Sequence, residues 1–407
     1  MAQPTLKTRC CIVGGGPAGM MAGLLFARAG VDTVVIEKHE DFLRDFRGDT
    51  VHPSTMEALR DIGLLEPFLE RPHERLETVC AEFEGNRYTL AEFRRLPVGS
   101  KFIAFMPQWH FLDFLADEAQ KLPAFDLRMN WNAVDLIETE DGVAGVVADT
   151  PERRVHIEAD LTIGADGRGS VVRDKAGLKV RDLGAPIDVL WFRVPRSGGS
   201  VGDTLLHAAA GNIVVTIDRG DYWQCAFIIP KGMYDKVVGR GIDRFRRDVL
   251  TAAGHLAPHI GAVTGWDDVK VLTVRVDRLE DWSRPGLVVI GDAAHAMSPI
   301  GGVGINLAIQ DAVAAANLFA GPLRDGTLTD TMLGQLRRRR LWPTRVVQAV
   351  QLAIQSRLIE PILKERGAES RAPLPLRIVN AVPWLRGWTA RFLGLGLRRE
   401  HVRSPKV

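Results

Sequence analysis

"TRCCIVGGGPAGMMAGLLFARAGVDTVVIE", residues 8–37, runs from an apolar strand through a glycine cluster into a helix of small and apolar residues, then into a second apolar strand. That order is a βαβ unit. Gly14, Gly16 and Gly19 form GxGxxG across the strand-to-helix turn. The first glycine permits the tight turn, the second lets a pyrophosphate approach the backbone, and the third brings helix and strand close together. Glu37 ends the second strand about 20 residues further on, where an acidic side chain meets a ribose hydroxyl. An acid at that point suits an unphosphorylated ribose, so FAD or NAD fits better than NADP. A plain glycine turn between core elements is the competing reading of the same residues.

Two later stretches repeat the pattern of a strand end followed by polar groups. "ADLTIGADGRGSVVRDKAG" (159–177) closes an apolar strand on Asp166-Gly167 and continues to Ser170 and Arg173 on a predicted helix. Alone, Asp-Gly reads equally well as a turn. "RPGLVVIGDAAHAMSPIGGVGINLAIQDA" (284–312) places Asp292 at the carboxyl end of a fully apolar strand, where open α/β sheets bind ligands. A carboxylate there accepts hydrogen bonds from a polyol. The glycine loop after it opens a long helix, and its unhindered backbone N–H groups favour negative charge, such as a reduced flavin carries at N1 and O2.

With these three motifs in order, the sequence resembles the FAD-dependent aromatic hydroxylases, the para-hydroxybenzoate hydroxylase-like single-component flavoprotein monooxygenases. The resemblance covers about residues 8–350 and rests on GxGxxG at 14–19, Asp166-Gly167 and Gly291-Asp292. It implies that Glu37 binds the adenosine ribose and Asp292 the ribityl chain, with Gly302, Gly304 and Asn306 approaching the isoalloxazine. Asp166 and Arg173 would support the FAD site and its reduction by NADH or NADPH. In "DFRGDTVHPSTMEALRDIGLL" (45–65), Arg47 matches the family arginine that meets the flavin or its diphosphate, before a helix capped near Ser54. Gln108, in "FMPQWHFLDFLADEA" (105–119), falls where the family has an Arg or Gln on FAD. A helix-start polar group is the plain alternative for both.

The implied fold is α/β, with α+β character in the second domain: a Rossmann-like FAD-binding domain, an inserted β-sheet substrate domain and a helical carboxyl-terminal segment. The FAD domain is expected to be discontinuous over 1–75, 101–180 and 270–355. The insertions 76–100 and 181–269 hold alternating runs such as "VLWFRVP", "GNIVVTID" and "DYWQCAFIIPKG", separated by turn residues, which predict a β-rich substrate domain. Residues 356–407 form the third segment. There Trp384, Trp388 and Phe392 recur every four residues, and the stretch is basic. It reads either as an amphipathic cap on the FAD domain or active-site mouth, or as a peripheral membrane contact. "RRRRLWP" (337–343) reads as a solvated helix face.

Composition narrows the partners. The 407 residues carry 52 Lys plus Arg against 50 Asp plus Glu, a formal charge of +2, which gives no reason to propose a general polyanion-binding surface, and nucleic acid is not the expected partner. The four cysteines lack CxxC spacing, so neither a metal site nor a disulfide is expected. No signal-peptide pattern opens the chain, and no apolar run approaches the roughly 18 residues of a spanning helix, so a cytoplasmic monomer or homodimer is expected.

The resemblance implies that NADH or NADPH reduces FAD, that O2 adds to give the flavin C4a-hydroperoxide, and that this hydroxylates an aromatic or other electron-rich small molecule. No catalytic side chain is compelling. His52 is a candidate base for a phenol, since imidazole titrates near neutrality; His295 reads as a structural partner of its loop. Tyr222, Gln224 and Pro299 are candidate substrate contacts, and strand alternation puts Tyr222 and Gln224 on the same face, toward substrate or away from it. The competing activities are a prenyl-lipid or quinone-pathway oxidoreductase and a non-catalytic FAD-binding protein. A flavin halogenase is disfavoured, because "CAFIIP" has Cys225 and Phe227 where that family's strand carries two tryptophans.

Overall fold

The computed structural model of the chain describes residues 4–43, 50–196, 204–364 and 372–407. Its first sheet has a parallel core in the order Phe125–Met129, Thr33–Glu37, Thr5–Val13, Arg154–Gly164 and Leu287–Val289. The hairpin Asn132–Thr139 and Gly142–Asp149 extends it antiparallel from Arg154–Gly164. The central strands read as continuous apolar runs because both faces are covered. Cys10, Ile12 and Val35 point into the main core with the helices Pro17–Arg28 and Gly304–Arg324, while Cys11, Val13, Val34 and Ile36 point into a second cluster under the hairpin.

The helix Pro17–Arg28 begins with proline in its first turn, where the missing N–H costs nothing, and is buried from Ala18 through Ala27. The segment Ile300–Arg324 is long and apolar enough to cross a membrane, contrary to the expectation from the sequence. Of its most apolar window, 78% is buried inside the protein, as in a core helix.

The second sheet has seven strands in the order Lys270–Leu272, Ile187–Pro195, Tyr222–Pro230, Asn212–Asp218, Thr204–Ala209, Thr78–Phe83 and Asn86–Glu92. Its edge strand Lys270–Leu272 runs just past the 181–269 bound drawn from sequence. One face, with Leu190, Phe192, Cys225 and Phe227, packs on the helix Ile242–Ala252, whose Phe245 ring lies edge-on to Phe192 and Phe227. The opposite face, with Val189, Ile213, Ala226 and Ile228, packs against Ile300 and Ile354. Thr50–Val51, Ile103–Phe105 and Glu74–Leu76 form a small third sheet, with Ile103–Phe105 at its centre and both neighbours antiparallel to it.

The carboxyl-terminal helices Leu374–Ala381 and Pro383–Leu395 cover the free edge of the second sheet: the Thr89 amide donates to Asn380 Oδ1, and Arg386 pairs with the buried Glu92 at 2.8 Å. The expected aromatic face splits. Trp384 and Trp388 are exposed (62% and 65%), whereas Phe392 packs beside Met297, Val303, Leu307 and Val347. Steps of four residues advance about 40° past a full turn each, so Phe392 has rotated away from Trp384 toward the protein body.

Candidate active site

The carboxyl ends of three neighbouring parallel strands gather the motifs. Just beyond Thr5–Val13, Gly14 has φ +107° and Gly16 is the extended residue that starts the helix. A Cβ on Gly19 would lie 1.9 Å from the Gly14 carbonyl oxygen, so helix and strand touch backbone to backbone there. A Cβ on Gly16 would meet nothing within 4 Å. The space in front of this helix start is open, and its N–H groups are suited to a diphosphate. Glu37 is oriented from below: the Gly15 amide donates to Oε2 at 2.8 Å and the His39 amide to Oε1 at 3.2 Å.

Beyond Arg154–Gly164, Asp166 accepts from Ser170 Oγ at 2.5 Å and from the Val172 amide at 3.1 Å. Burial raises its pKa, against the opposing effect of these hydrogen bonds. It is a structural anchor for the short helix Val171–Lys175, which Ser170 caps. Arg173 is buried and donates to the carbonyls of Arg168 and Ala293, tying this turn to the next. Beyond Leu287–Val289, Asp292 keeps a partly exposed carboxylate, 3.2 Å from Arg168 Nε. Such a carboxylate at a strand end suits polyol hydroxyls.

The glycine loop follows. Gly301 and Gly302 both have positive φ (77° and 61°), which L side chains rarely adopt. Asn306, one turn into the long helix, accepts from Thr55 Oγ1 at 2.8 Å and from the His52 amide at 3.2 Å, and donates to the Gly302 carbonyl at 3.4 Å. Thr50 Oγ1 donates to the same carbonyl. Gly304 lies at the helix start, and Pro299 opens the turn before it, next to Ile300 under the second sheet.

Among the substrate candidates, Tyr222 and Gln224 share the parity of Ala226 and Ile228, and so belong to the face that meets Ile300. Gln224 Oε1 accepts from Arg219 Nε at 3.2 Å, and the Arg193 guanidinium lies 5.0 Å from the Tyr222 ring centre. Trp223, Cys225 and Phe227 point the other way. Gln108 is the first residue of the helix Gln108–Gln120 and is half-buried. Arg47 lies outside the described residues.

His52 does not have the properties of a base. It is fully buried, its Nδ1 is 2.8 Å from the Leu393 carbonyl, which can only accept, and its Nε2 is sealed in without a partner. Burial pushes its pKa down to about 4. A base for a phenol needs an accessible lone pair and a pKa near neutrality, and His52 has neither. His52, not Ser54, precedes the helix Pro53–Asp61, whose first turn opens on proline. His207, behind the second sheet, is likewise held down to about 4, by burial first and then by His255.

For both histidines the unfolded chain binds the proton more readily than the folded one, since the free value is about 6.5. Their stabilising share is therefore complete above about pH 6.5 and is lost as pH falls through about 4. The urea midpoint is expected to drop between pH 7 and pH 5, with a shallower drop in His207→Gln; identical slopes in the variant and the parent would refute this assignment.

Sequence reading missed the supports of the site. Asp311 is completely buried and binds His295 Nε2 at 2.5 Å, Arg340 Nε at 2.8 Å and the Gly291 amide at 3.2 Å. Burial opposes its charge, but His295 and Arg340 outweigh that and lower its pKa. Arg340 also reaches the Arg398 carbonyl, and Arg339 forks onto buried Glu400. The arginine run is thus not a solvated face: about 100° per residue spreads it around the helix Asp330–Ile354 and turns Arg340 inward. The same helix carries Gln348 and Gln351, whose amides hold the irregular backbone from Ala296 to Ile300, and Gln355 just past its end donates to the Ser298 hydroxyl. The signal available in sequence was Asp311 itself, a charge inside an otherwise apolar helical run.

Residues 7–350 match the family model described as "FAD binding domain". A 6-methylpretetramide 4-monooxygenase of Streptomyces rimosus is 30% identical over 98% of this chain and 94% of its own length. Among solved structures, an anhydrotetracycline hydroxylase from Streptomyces rimosus superposes with a TM-score of 0.74 at 23% identity, over 97% of this chain and 77% of that one. A p-nitrophenol 4-monooxygenase from Pseudomonas putida gives 0.71 at 21% identity, over 96% of each chain.

Proposed function

The chain belongs to the FAD-dependent aromatic monooxygenases, and from that premise we propose that its substrate is a polycyclic phenol, held flat between the glycine loop and the second sheet. The observation that carries this is the polar group Tyr222, Gln224, Arg193 and Arg219, which lies on the same sheet face beyond the part that Ile300 and Ile354 already cover. The full-length likeness to an enzyme named for a polycyclic substrate supports the same class. FAD held by these residues would supply the redox chemistry, with NADH or NADPH as the reductant and O2 as the source of the inserted oxygen.

The protein's own contribution is binding and orientation. The open helix start behind Gly14, Gly16 and Gly19 holds the diphosphate, Glu37 a ribose hydroxyl and Asp292 the ribityl chain. Gly304 and the locked Asn306 would present backbone N–H groups to the isoalloxazine edge, favouring negative charge there, while the Gly302 amide is held by the Pro299 carbonyl at 3.1 Å and Gly302 supplies the close turn beside it. Tyr222 and Gln224 orient the phenol. We assign the working protein to the cytoplasm.

The test is NADH and NADPH oxidation by the purified yellow protein with polycyclic phenols, simple phenols and isoprenoid quinols. Acceleration by polycyclic phenols, with a product one oxygen heavier and little H2O2, is expected. Acceleration only by isoprenoids would move the enzyme to lipid-quinone chemistry, and bound FAD with no turnover under any addition would leave a binding protein.

A further inference from the structure

We propose that Arg168 is a further cofactor-binding residue: its guanidinium, paired with Asp292 in the free protein, transfers to the diphosphate of FAD and releases the Asp292 carboxylate for the ribityl hydroxyls. The inference rests on the cofactor reading above. Its basis is position. Arg168 follows the strand Arg154–Gly164, which lies between Thr5–Val13 and Leu287–Val289 in the sheet. Those two neighbours lead into the Gly14–Gly19 turn and Asp292 respectively, and the turns are close: a Cβ on Gly291 would lie 3.0 Å from Ala18 Cβ, at the start of the helix Pro17–Arg28. Arg168 therefore stands between the helix start suited to a diphosphate and the carboxylate suited to a polyol.

The pair is built to exchange. Arg168 and Asp292 are each about one-third exposed (33% and 34%) and share a single 3.2 Å contact. Exposed pairs of this kind hold weakly. The neighbouring Arg173 is the opposite case: it is 7% exposed and committed to two backbone carbonyls and Asp174. One of those carbonyls is that of Arg168, so Arg173 fixes the backbone from which the Arg168 side chain swings.

Charge requires a cation here. Glu37, Asp166 and Asp292 all sit at these strand ends, and a diphosphate adds two further negative charges. A helix start offsets only about half a charge. A guanidinium fork matches phosphate oxygens two at a time and binds them more strongly than one oxygen of an exposed carboxylate. After the exchange, Asp292 keeps its charge and gains free acceptor oxygens facing the polyol.

The test uses full-length protein stripped of FAD, titrated with FAD by flavin fluorescence and with ADP by calorimetry. ADP carries the diphosphate and lacks the ribityl chain. Arg168→Gln is expected to weaken FAD and ADP alike by about 10- to 100-fold, and to flatten the salt dependence of both. Arg168→Lys restores part of the loss, and the unfolding temperature of the FAD-free variant stays at that of the parent. Weaker FAD binding with unchanged ADP binding would show that Arg168 only positions Asp292, and unchanged binding of both would leave it no role; either overturns the proposal. A parent protein that binds neither ligand would sink the cofactor reading itself.

Discussion

Asp311→Ala is expected to cost about 3–5 kcal/mol of stability, the penalty for removing one partner from a buried ion pair. The cost comes less from lost attraction than from what remains: Arg340, 1% exposed, would keep a full charge facing an apolar cavity, with His295 unpaired beside it. Asp311→Asn keeps the shape and some of the hydrogen bonds and should fall between. Four pieces of chain meet through the Asp311–Arg340 pair: the turn before Asp292 and the long helix Gly304–Arg324 at the carboxylate, and the helix Asp330–Ile354 and the tail at Arg398 and Glu400 through the guanidinium. Urea unfolding followed by tryptophan fluorescence measures the effect. A midpoint for Asp311→Ala equal to that of the parent would mean that the network is not a support of the fold.

The same variant is expected to weaken FAD binding, because Asp311 also fixes the Gly291 amide, one residue before Asp292. Stability and affinity then fall together, whereas Arg168→Gln separates them. Asp311 carries fold and site at once, while Arg168 stands at an exposed rim where the fold does not depend on it.

What the sequence made legible follows the reach of each interaction. The βαβ turn and the Asp292 strand end are local: the glycines, the apolar run and the acid lie within about 30 residues, and backbone geometry ties each residue type to its place. Strand alternation was also local, and it put Tyr222 and Gln224 together. The supports were not legible, because each joins residues far apart in the chain. Asp311 meets Arg340 across 29 positions, and His52 meets the Leu393 carbonyl across 341. No periodicity encodes such pairings, so the arginine run looked like a solvent face and His52 like a candidate base. Helical drift accounts for the third departure, Phe392, where a spacing of four held but the face did not.

Gly16→Ala and Gly19→Ala are expected to weaken FAD binding strongly by different routes, and the contrast tests the glycine cradle directly. At Gly19 the new Cβ would lie 1.9 Å from the Gly14 carbonyl oxygen, a distance that real Cβ atoms do not show, so the helix Pro17–Arg28 has to move off the strand. That helix is buried along nearly its whole length, and the displacement should cost about 1–3 kcal/mol, as overpacking does. At Gly16 the new Cβ meets no protein atom within 4 Å, and φ is −74°, ordinary for any residue. Stability there should stay within about 1 kcal/mol of the parent, while the methyl group projects into the space read as the diphosphate's. The expected pattern is an FAD-free Gly19→Ala protein that melts early, and an FAD-free Gly16→Ala protein that melts with the stripped parent yet loses at least about 100-fold in FAD affinity. Thermal unfolding of the stripped proteins and FAD titration read the two effects separately. A Gly16→Ala protein that binds FAD like the parent would place the diphosphate elsewhere, because nothing in the fold itself requires that position to lack a side chain.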